Sequence, residues 1–235
     1  MGATANSTKR LTNTERNSFS VSPDLQDIVI GLILGDLYIS RRYDNAKLEF
    51  EQGLVNKDYI FHLYDLFKDY SNSEPKISDR KPNFRTNKIY TRVRFQTKSL
   101  PCFNEYHNLF YVNRIKKIPL NIGELLTARG LAYWAMDDGS KAGSGFHLNT
   151  NSYTLEELLL LIKVLKENFD LDCNLHIHRK DQYRIYVKIG SPPSAGPPPG
   201  AQAPRLRRGA QGFFKKSLGS GLSAGAPRLR REAPF

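Results

Sequence analysis

Two short stretches of the chain each combine small residues with a terminal aspartate, and together they could build a cation site. They are Gly31–Asp36 (GLILGD) and Leu131–Gly139 (LAYWAMDDG). Gly31 and Gly35 lie one helical turn apart on the same face, although each glycine costs about 1 kcal/mol relative to alanine inside a helix. This pattern predicts that another backbone approaches the face closely. The small residues expected at such a helix interface are Gly31, Gly35, Ala132 and Ala135.

The acids that end these stretches, Asp36 and Asp138, are 102 residues apart. Gly139 suits a helix C-cap, which would place Asp138 against the unfavourable negative end of the helix dipole. A bound cation would offset that arrangement. Two such helices packed side by side would bring the acids together, and divalent cations could then bridge them and a phosphodiester. The alternative is that both are core helices ending in solvated acids.

The charge of the chain indicates a polyanionic partner. The net charge is +12 and the isoelectric point is about 9.7, which favours nucleic acid or an anionic membrane surface. No apolar run approaches the roughly 18 residues of a membrane-spanning helix. The two cysteines provide neither a disulfide framework nor a zinc quartet.

Alternating segments supply candidate nucleic-acid contacts. In residues 88–97, Arg92, Arg94 and Gln96 share one face of the predicted strand, opposite an apolar face. Arginine and glutamine are the standard partners of guanine and adenine in the major groove, although a solvated face is the plainer alternative. His176 and His178 alternate on another strand and could bind a metal, but no third ligand is in view, which favours contact with DNA. Further candidates on the last alternating segment are Arg184, Tyr186 and Lys188.

The order of predicted elements repeats. A helix, two strands, a helix and further strands occur once in 23–122 and again in 123–189, which predicts an α+β fold of two pseudo-symmetric halves. Thr154 and Glu157 form a capping box at the start of the second half's long helix. Residues 1–22 are polar and are predicted to be disordered. Residues 190–235, with eight of the thirteen prolines, form a low-complexity tail rich in Pro, Gly and Arg.

The two stretches, in this order and at this separation, resemble the paired motifs of single-chain LAGLIDADG homing endonucleases. The amino-acid sequences of both motifs are close to those of fungal mitochondrial members encoded in introns. Ile118-Pro119 and residues 149–157 also resemble the sequences of these members. The resemblance covers about 25–189 and implies two αββαββα halves that pack through their motif helices, with two sheets along the DNA major groove.

The resemblance also implies a reaction and its residues. It implies Mg²⁺-dependent hydrolysis of both strands of a long double-stranded DNA target by a monomer, and a mitochondrial location. Asp36 and Asp138 would bind the metal, the backbone carbonyls of Gly35 and Asp137 would be further ligands, and Lys116 would be the basic residue near one cleavage site. A solvated lysine in a basic run is the alternative for Lys116.

The chain departs from the family pattern at two places. Leu37 replaces the glycine that ends the first motif. The second half lacks its final helix and second basic residue, because the tail from 190 takes their place, so this half is expected to be incomplete. Two alternatives stay open. One is an intron-splicing maturase, which has the same fold and binds intron RNA, and the other is a decayed endonuclease that binds DNA without efficient cleavage.

Overall fold

The computed structural model describes residues 11–179 and 182–188. The described chain divides into two compact units. The first unit comprises 11–25 with 37–109, and the second comprises 26–36 with 110–179 and 182–188. These limits differ from the predicted halves, 23–122 and 123–189. Most of the first motif helix and residues 110–122 belong to the second unit, and residues 11–22 belong to the first.

The predicted alternation of helices and strands is confirmed, with extra short elements. The first stretch of chain contains α1 (Asn13–Asn17), α2 (Pro23–Leu34), β1 (Tyr38–Ser40), β2 (Lys47–Gly53), α3 (Lys57–Phe67), β3 (Lys76–Asp79), β4 (Thr91–Gln96) and α4 (Asn104–Phe110). The remainder contains β5 (Tyr111–Val112), β6 (Ile115–Lys116), α5 (Ile122–Leu125), α6 (Ala128–Asp138), β7 (Gly139–Ala142), β8 (Gly145–Leu148), α7 (Leu155–Phe169), β9 (Cys173–Arg179) and β10 (Gln182–Val187).

The first unit is built on an antiparallel sheet with the strand order β1-β2-β4-β3. Alternation places Phe50, Val93 and Phe95 on a buried face, and α3 covers that face. The rings of Phe50 and Phe95 stack with centroids 4.3 Å apart, and Phe67 of α3 lies 5.2 Å from Phe50. The other face of the sheet is left to polar side chains.

The second unit repeats this topology, with the strand order β7-β8-β10-β9. In both sheets the strands occur in the order first, second, fourth, third, which confirms the predicted pseudo-repeat. The capping box of Thr154 and Glu157 is present at the start of α7. This helix buries Leu158, Leu161 and Leu165 and packs against β9 and β10.

The prediction of disorder over 1–22 is wrong for residues 11–22. Thr12 and Glu15 form a capping box that starts α1, and Val21 is buried. The hydroxyl of Tyr70 donates to the carbonyl oxygen of Ser20 at 2.7 Å, and the ring of Phe19 lies 5.9 Å from that of Tyr70. The polar composition of the segment led to the prediction of disorder, although a few of its residues make contacts that anchor it.

The remaining parts of the predicted ends, 1–10 and the tail 190–235, lie outside the described residues. Their predicted disorder is therefore not tested. Among the residues that the structure describes, no helix is long and apolar enough to cross a membrane.

Candidate functional site

The two motif helices, α2 and α6, pack against each other within the second unit. A Cβ atom added at Gly31 would overlap the carbonyl oxygen of Gly130, and one added at Gly130 would lie 2.8 Å from the carbonyl oxygen of Asp27. One added at Gly35 would lie 2.5 Å from the Cβ of Asp137. The predicted close approach at Gly31 and Gly35 is therefore present. The structure places it opposite Gly130 and Asp137, whereas the expected interface residues Ala132 and Ala135 are half-buried.

The C-terminal end of α2 is held by side chains from distant parts of the chain. The hydroxyl of Tyr153 donates to the carbonyl oxygen of Leu34 at 3.1 Å. The ammonium group of Lys116 donates to the carbonyl oxygen of Gly35 at 3.2 Å. The backbone N–H of Asp36 donates to Oδ2 of Asp137 at 3.0 Å. The carboxylate of Asp137 therefore holds the backbone of Asp36, and the role of the Asp137 carbonyl as a metal ligand stays a prediction.

A tight hairpin positions Lys116. Strands β5 and β6 are joined by Asn113 and Arg114, both in the left-handed region with φ of 50° and 65°, as a type I′ turn requires. Lys116 pairs with Tyr111 in the register of this hairpin. Its side chain is buried, with 9% of the residue exposed, so the alternative of a solvated lysine is wrong. The negative end of the α2 dipole also stabilises a positive charge at this position.

Asp138 ends α6 and is buried, with 1% of its surface exposed. Its backbone carbonyl accepts hydrogen bonds from the backbone N–H of Asn149 at 3.0 Å and from the side-chain amide of Asn149 at 2.7 Å. Asn149 follows β8, so this strand fixes the end of the helix. The alternative of a solvated acid is therefore wrong for Asp138, whereas Asp36 is half-buried.

The ends of α2 and α6 carry the carboxylates of Asp36, Asp137 and Asp138, and the ammonium group of Lys116 contacts the end of α2. These four side chains have a formal charge of −2. This donor set fits Mg²⁺, which is commonly held by one or two carboxylates together with waters and substrate phosphates. Among the described residues, no group of three or more His, Cys, Asp or Glu side chains could hold a metal alone. Backbone carbonyls, water or a bound phosphodiester would have to complete the coordination.

The polar face of the first sheet carries the predicted contacts of β4. Arg94 and Gln96 are exposed, and Gln96 accepts a hydrogen bond of 2.7 Å from Lys47. Arg92 is half-buried, and its Nη1 lies 2.8 Å from Oε2 of Glu51. The carboxylate of Glu51 also pairs with Arg80. The predicted alternation is confirmed. The structure also shows an acid, Glu51, that pairs with both Arg80 and Arg92 on this face.

On the polar face of the second sheet, side chains from different strands contact one another, and the sequence did not indicate these contacts. Nε2 of His147 lies 3.0 Å from Nδ1 of His176, and the ring of His176 stacks on Tyr186 with centroids 4.8 Å apart. Nη2 of Arg184 lies 2.5 Å from Nε2 of His178. No aspartate or glutamate occurs in the four strands of this sheet. The face is therefore basic, and His147 is a member that the sequence analysis missed.

Acid should destabilise the fold through His147. Its pKa lies below the usual value because of burial, and because the positive charges of His176, Arg184 and His178 oppose its protonation. The unfolded chain therefore binds this proton more readily than the folded one, so the free energy of unfolding should fall as the pH drops below about 6.5. We expect urea unfolding, followed by Trp134 emission, to show a smaller acid-induced loss in His147→Gln than in the wild type.

A matched control is His62→Gln, because His62 is exposed on α3 in the other unit. This variant should keep the acid-induced loss of the wild type. An equal loss in the wild type and in His147→Gln would show that His147 does not contribute to the pH dependence.

Five residues of these sites were not predicted: Gly130, Asn149, Tyr153, His147 and Glu51. Gly130 had a usable signal, since it is a further small residue just before the second motif. The others depend on contacts between segments that are far apart in the sequence or on neighbouring strands, and no local pattern indicates them. Lys188, the last predicted contact, is exposed directly after β10.

The chain is similar to proteins encoded in introns. It is 31% identical over 176 residues to the cytochrome b mRNA maturase bI2 of Debaryomyces hansenii, covering 72% of this chain and 66% of that protein. It is 34% identical over 170 residues to a protein of Wickerhamomyces canadensis named "Probable intron-encoded endonuclease 1", covering 69% of this chain and 72% of that protein. The chain thus spans about two thirds of the length of these relatives.

A solved structure has the same fold. It is the homing endonuclease I-WcaI bound to its DNA recognition sequence, with a TM-score of 0.68 and 32% identity over 72% of this chain and 77% of that one. The family model described as "LAGLIDADG DNA endonuclease family" matches residues 26–193. This range contains most of α2, the whole of α6 and the strands of both sheets. With the paired motif helices and the repeated sheet, these matches show that the chain belongs to the LAGLIDADG DNA endonuclease family.

Proposed function

We propose that the chain is an intron-encoded homing endonuclease that cleaves both strands of a long double-stranded DNA site with the help of Mg²⁺. The observation that carries the proposal is the meeting of Asp36, Asp137 and Lys116 at the end of α2. This cluster combines oxygen ligands with a buried cation. The similarity to a homing endonuclease solved on its DNA supports duplex DNA as the substrate.

In this proposal, Asp36 and Asp138 hold the divalent metal, with the backbone carbonyls of Gly35 and Asp137 as additional ligands. A bound Mg²⁺ would lower the pKa of a water molecule and stabilise charge on the phosphodiester. Lys116 places its ammonium group beside the Gly35 carbonyl, where it can stabilise a developing negative charge or move a proton. Asn149 and Tyr153 act as positioning residues, because they hold the ends of the two helices.

The polar faces of the two sheets bind the DNA. Base edges would be read from alternate positions on the strands, and long basic side chains would neutralise phosphates. The residues proposed for these contacts are Arg92, Arg94, Gln96, His176, His178, Arg184, Tyr186 and Lys188. A monomer that carries two different faces suits a target whose two halves differ.

The test is cleavage by the purified chain. Supercoiled plasmids with a randomised insert are incubated with the protein and Mg²⁺, and the linear products are sequenced. We expect one family of related sites to be enriched among them. Enrichment of no site, under conditions in which the protein is folded, would contradict the proposal.

A second candidate function is intron splicing with RNA as the partner. The specific observation in its favour is that one relative is a cytochrome b mRNA maturase. A maturase would bind its own intron RNA and increase the rate of splicing, with or without cleaving DNA. A decayed endonuclease would bind a selected duplex without cutting it. The mitochondrial location is proposed from the family resemblance alone.

We expect Lys116→Met to slow cleavage of one strand by about a hundredfold, the lower range for loss of a group that assists proton transfer. Nicked plasmid should accumulate, because Lys116 lies near only one of the two proposed cleavage sites. The measurement is the ratio of nicked to linear plasmid over time.

Lys117→Met is the matched control for this variant. It removes the same charge from the adjacent residue, which is half-buried. The control should keep wild-type ratios of nicked to linear product. Equal cleavage of both strands by Lys116→Met would remove Lys116 from the centre.

We expect Glu51→Gln to weaken sequence preference while strengthening unspecific binding. Its carboxylate holds Arg92 at 2.8 Å and also pairs with Arg80, so it fixes where these guanidinium groups point. Its loss should remove about 1–3 kcal/mol of discrimination at one base pair and should increase affinity for random duplex, since one negative charge leaves the face. Binding to a panel of single-base variants of the selected site measures both effects.

Glu49→Gln is the control for Glu51→Gln. Glu49 lies on the same face but contacts Ser40 and Lys47. It should raise unspecific affinity by a similar amount and leave the base preference intact. A Glu51→Gln variant with unchanged preference would show that Glu51 does not orient a base contact.

A further inference from the structure

The connection between β3 and β4 ends in a turn that exposes a whole aromatic ring. Phe84 is 100% exposed, whereas the aromatic residues of the sheet below it, such as Phe95, are buried. The connection extends the sheet beyond Asp79 and Thr91, the last pair in the register of these strands. None of the contacts proposed above for the sheet faces lies in this turn.

Hydrogen bonds hold the turn in one conformation. The backbone N–H of Asn83 donates to the carbonyl oxygen of Lys88 at 2.9 Å, and the N–H of Asn87 donates to the carbonyl oxygen of Asn83 at 2.8 Å. The side-chain oxygen of Asn83 accepts from the N–H groups of Arg85 and Thr86, both at 3.0 Å. Asn87 closes the turn with φ of 52°. Phe84 is therefore presented on an ordered support.

The surroundings of Phe84 are basic. Residues 80–90 contain Arg80, Lys81, Arg85 and Lys88 and no aspartate or glutamate. Arg80 is paired with Glu51 at the base of the connection, and the other three are exposed. An exposed ring between exposed cations is the combination with which proteins stack on bases while neutralising the flanking phosphates.

We propose that residues 81–88 form a second DNA-binding element, in which the ring of Phe84 stacks on a base of the bound duplex at a locally unstacked step. Lys81, Arg85 and Lys88 contact the adjacent phosphates. This inference rests on the proposed function for its ligand, double-stranded DNA. The element adds a contact based on stacking and on deformability of the step to the base-edge contacts of the sheet.

The position of the element predicts where it acts. Lys88 precedes Thr91 by three residues, which corresponds to roughly 10 Å at about 3.3 Å per residue of strand. That distance is about three base-pair steps at roughly 3.4 Å each. The unstacked step should therefore lie outside the base pairs that β4 reads.

The experiment uses Phe84→Trp in the full chain. The sequence contains a single tryptophan, Trp134, and it is fully buried, so a change in exposed emission reports on position 84. The probes are the duplex selected by the plasmid assay and, if none is selected, a mixed-sequence duplex at low salt. Heparin, a polyanion without bases, is the control ligand. Phe61→Trp is the control variant, because Phe61 lies on α3, which covers the opposite face of the sheet.

We expect duplex DNA to quench the emission of Phe84→Trp, and heparin at equal occupancy to leave it almost unchanged. Neither ligand should affect Phe61→Trp. Phe84→Ala should lower affinity for the duplex about tenfold, within the range for loss of one base stack, with the same salt dependence as the wild type. Arg85→Ala should instead reduce the salt dependence by about one phosphate contact.

Several results would overturn the inference. They are equal quenching by heparin, an unquenched Phe84→Trp with bound duplex, or quenching by intron RNA but not by duplex DNA. In the second case, cleavage of the selected site would still support the proposed function. Quenching without any cleavage would retain this element while contradicting the endonuclease. A chain that binds neither duplex would contradict both.

Discussion

Asp36→Asn and Asp138→Asn should each abolish double-strand cleavage and leave DNA affinity nearly unchanged. We expect the cleavage rate to fall by at least about 100- to 1000-fold, the loss that follows removal of one catalytic electrostatic group. Affinity should survive because it comes from phosphate and base contacts on the sheets. The measurements are plasmid cleavage with Mg²⁺ and binding to the selected duplex without it.

The matched control is Asp137→Asn. The amide side chain of this variant would still offer an oxygen to the backbone N–H of Asp36, which in the wild type donates to Oδ2 of Asp137 at 3.0 Å. This variant should therefore keep much of the activity. Wild-type cleavage by Asp36→Asn or Asp138→Asn would remove these residues from the metal centre, and a loss of affinity that matches the loss of cleavage would indicate a structural role.

Gly31→Ala should be strongly destabilising, although alanine favours a helix by about 1 kcal/mol over glycine. The added methyl group would overlap the carbonyl oxygen of Gly130, and a backbone atom cannot turn away as a flexible side chain can. We expect a net loss of about 3 kcal/mol, the upper end of the usual overpacking range. Denaturant unfolding followed by Trp134 emission measures it, since Trp134 lies on α6.

Gly53→Ala is the control for the added methyl group. A Cβ at Gly53 would have its nearest neighbour at 4.0 Å, which is ordinary contact, so the midpoint of unfolding should hardly change. If Gly31→Ala unfolded like the wild type, α2 and α6 would not be packed backbone to backbone. Cleavage by the surviving folded fraction should also fall, because the same contact places the two acids.

The sequence alone determined the elements whose signals are local. Apolar alternation predicted β4 with Val93 and Phe95 inward, and the capping box of Thr154 and Glu157 predicted the start of α7. Composition failed for residues 11–22, where a few anchoring contacts order a polar segment. The shortest strands were also missed, because two or three residues are too few to show alternation.

The site divides in the same way. Glycine spacing predicted the close approach at Gly31, because the two glycines of the first motif lie one turn apart on one face of a helix. The last acids of the motifs indicated Asp36 and Asp138, whose role as metal ligands stays a prediction. Only the tertiary structure decided what meets the end of α2, since the groups involved are 81, 101 and 119 residues apart in the sequence. It also placed the ammonium group of Lys116 beside the carbonyl oxygen of Gly35.

The two sheet faces show the physical reason for this limit. The sequence determines which side chains share a face, because a strand alternates with a period of two residues. The tertiary structure decides which of them pair, because pairing depends on strand order and register. Strand pairing thus joined Glu51 to Arg92 and His147 to His176, two contacts that no pattern within a single strand indicates.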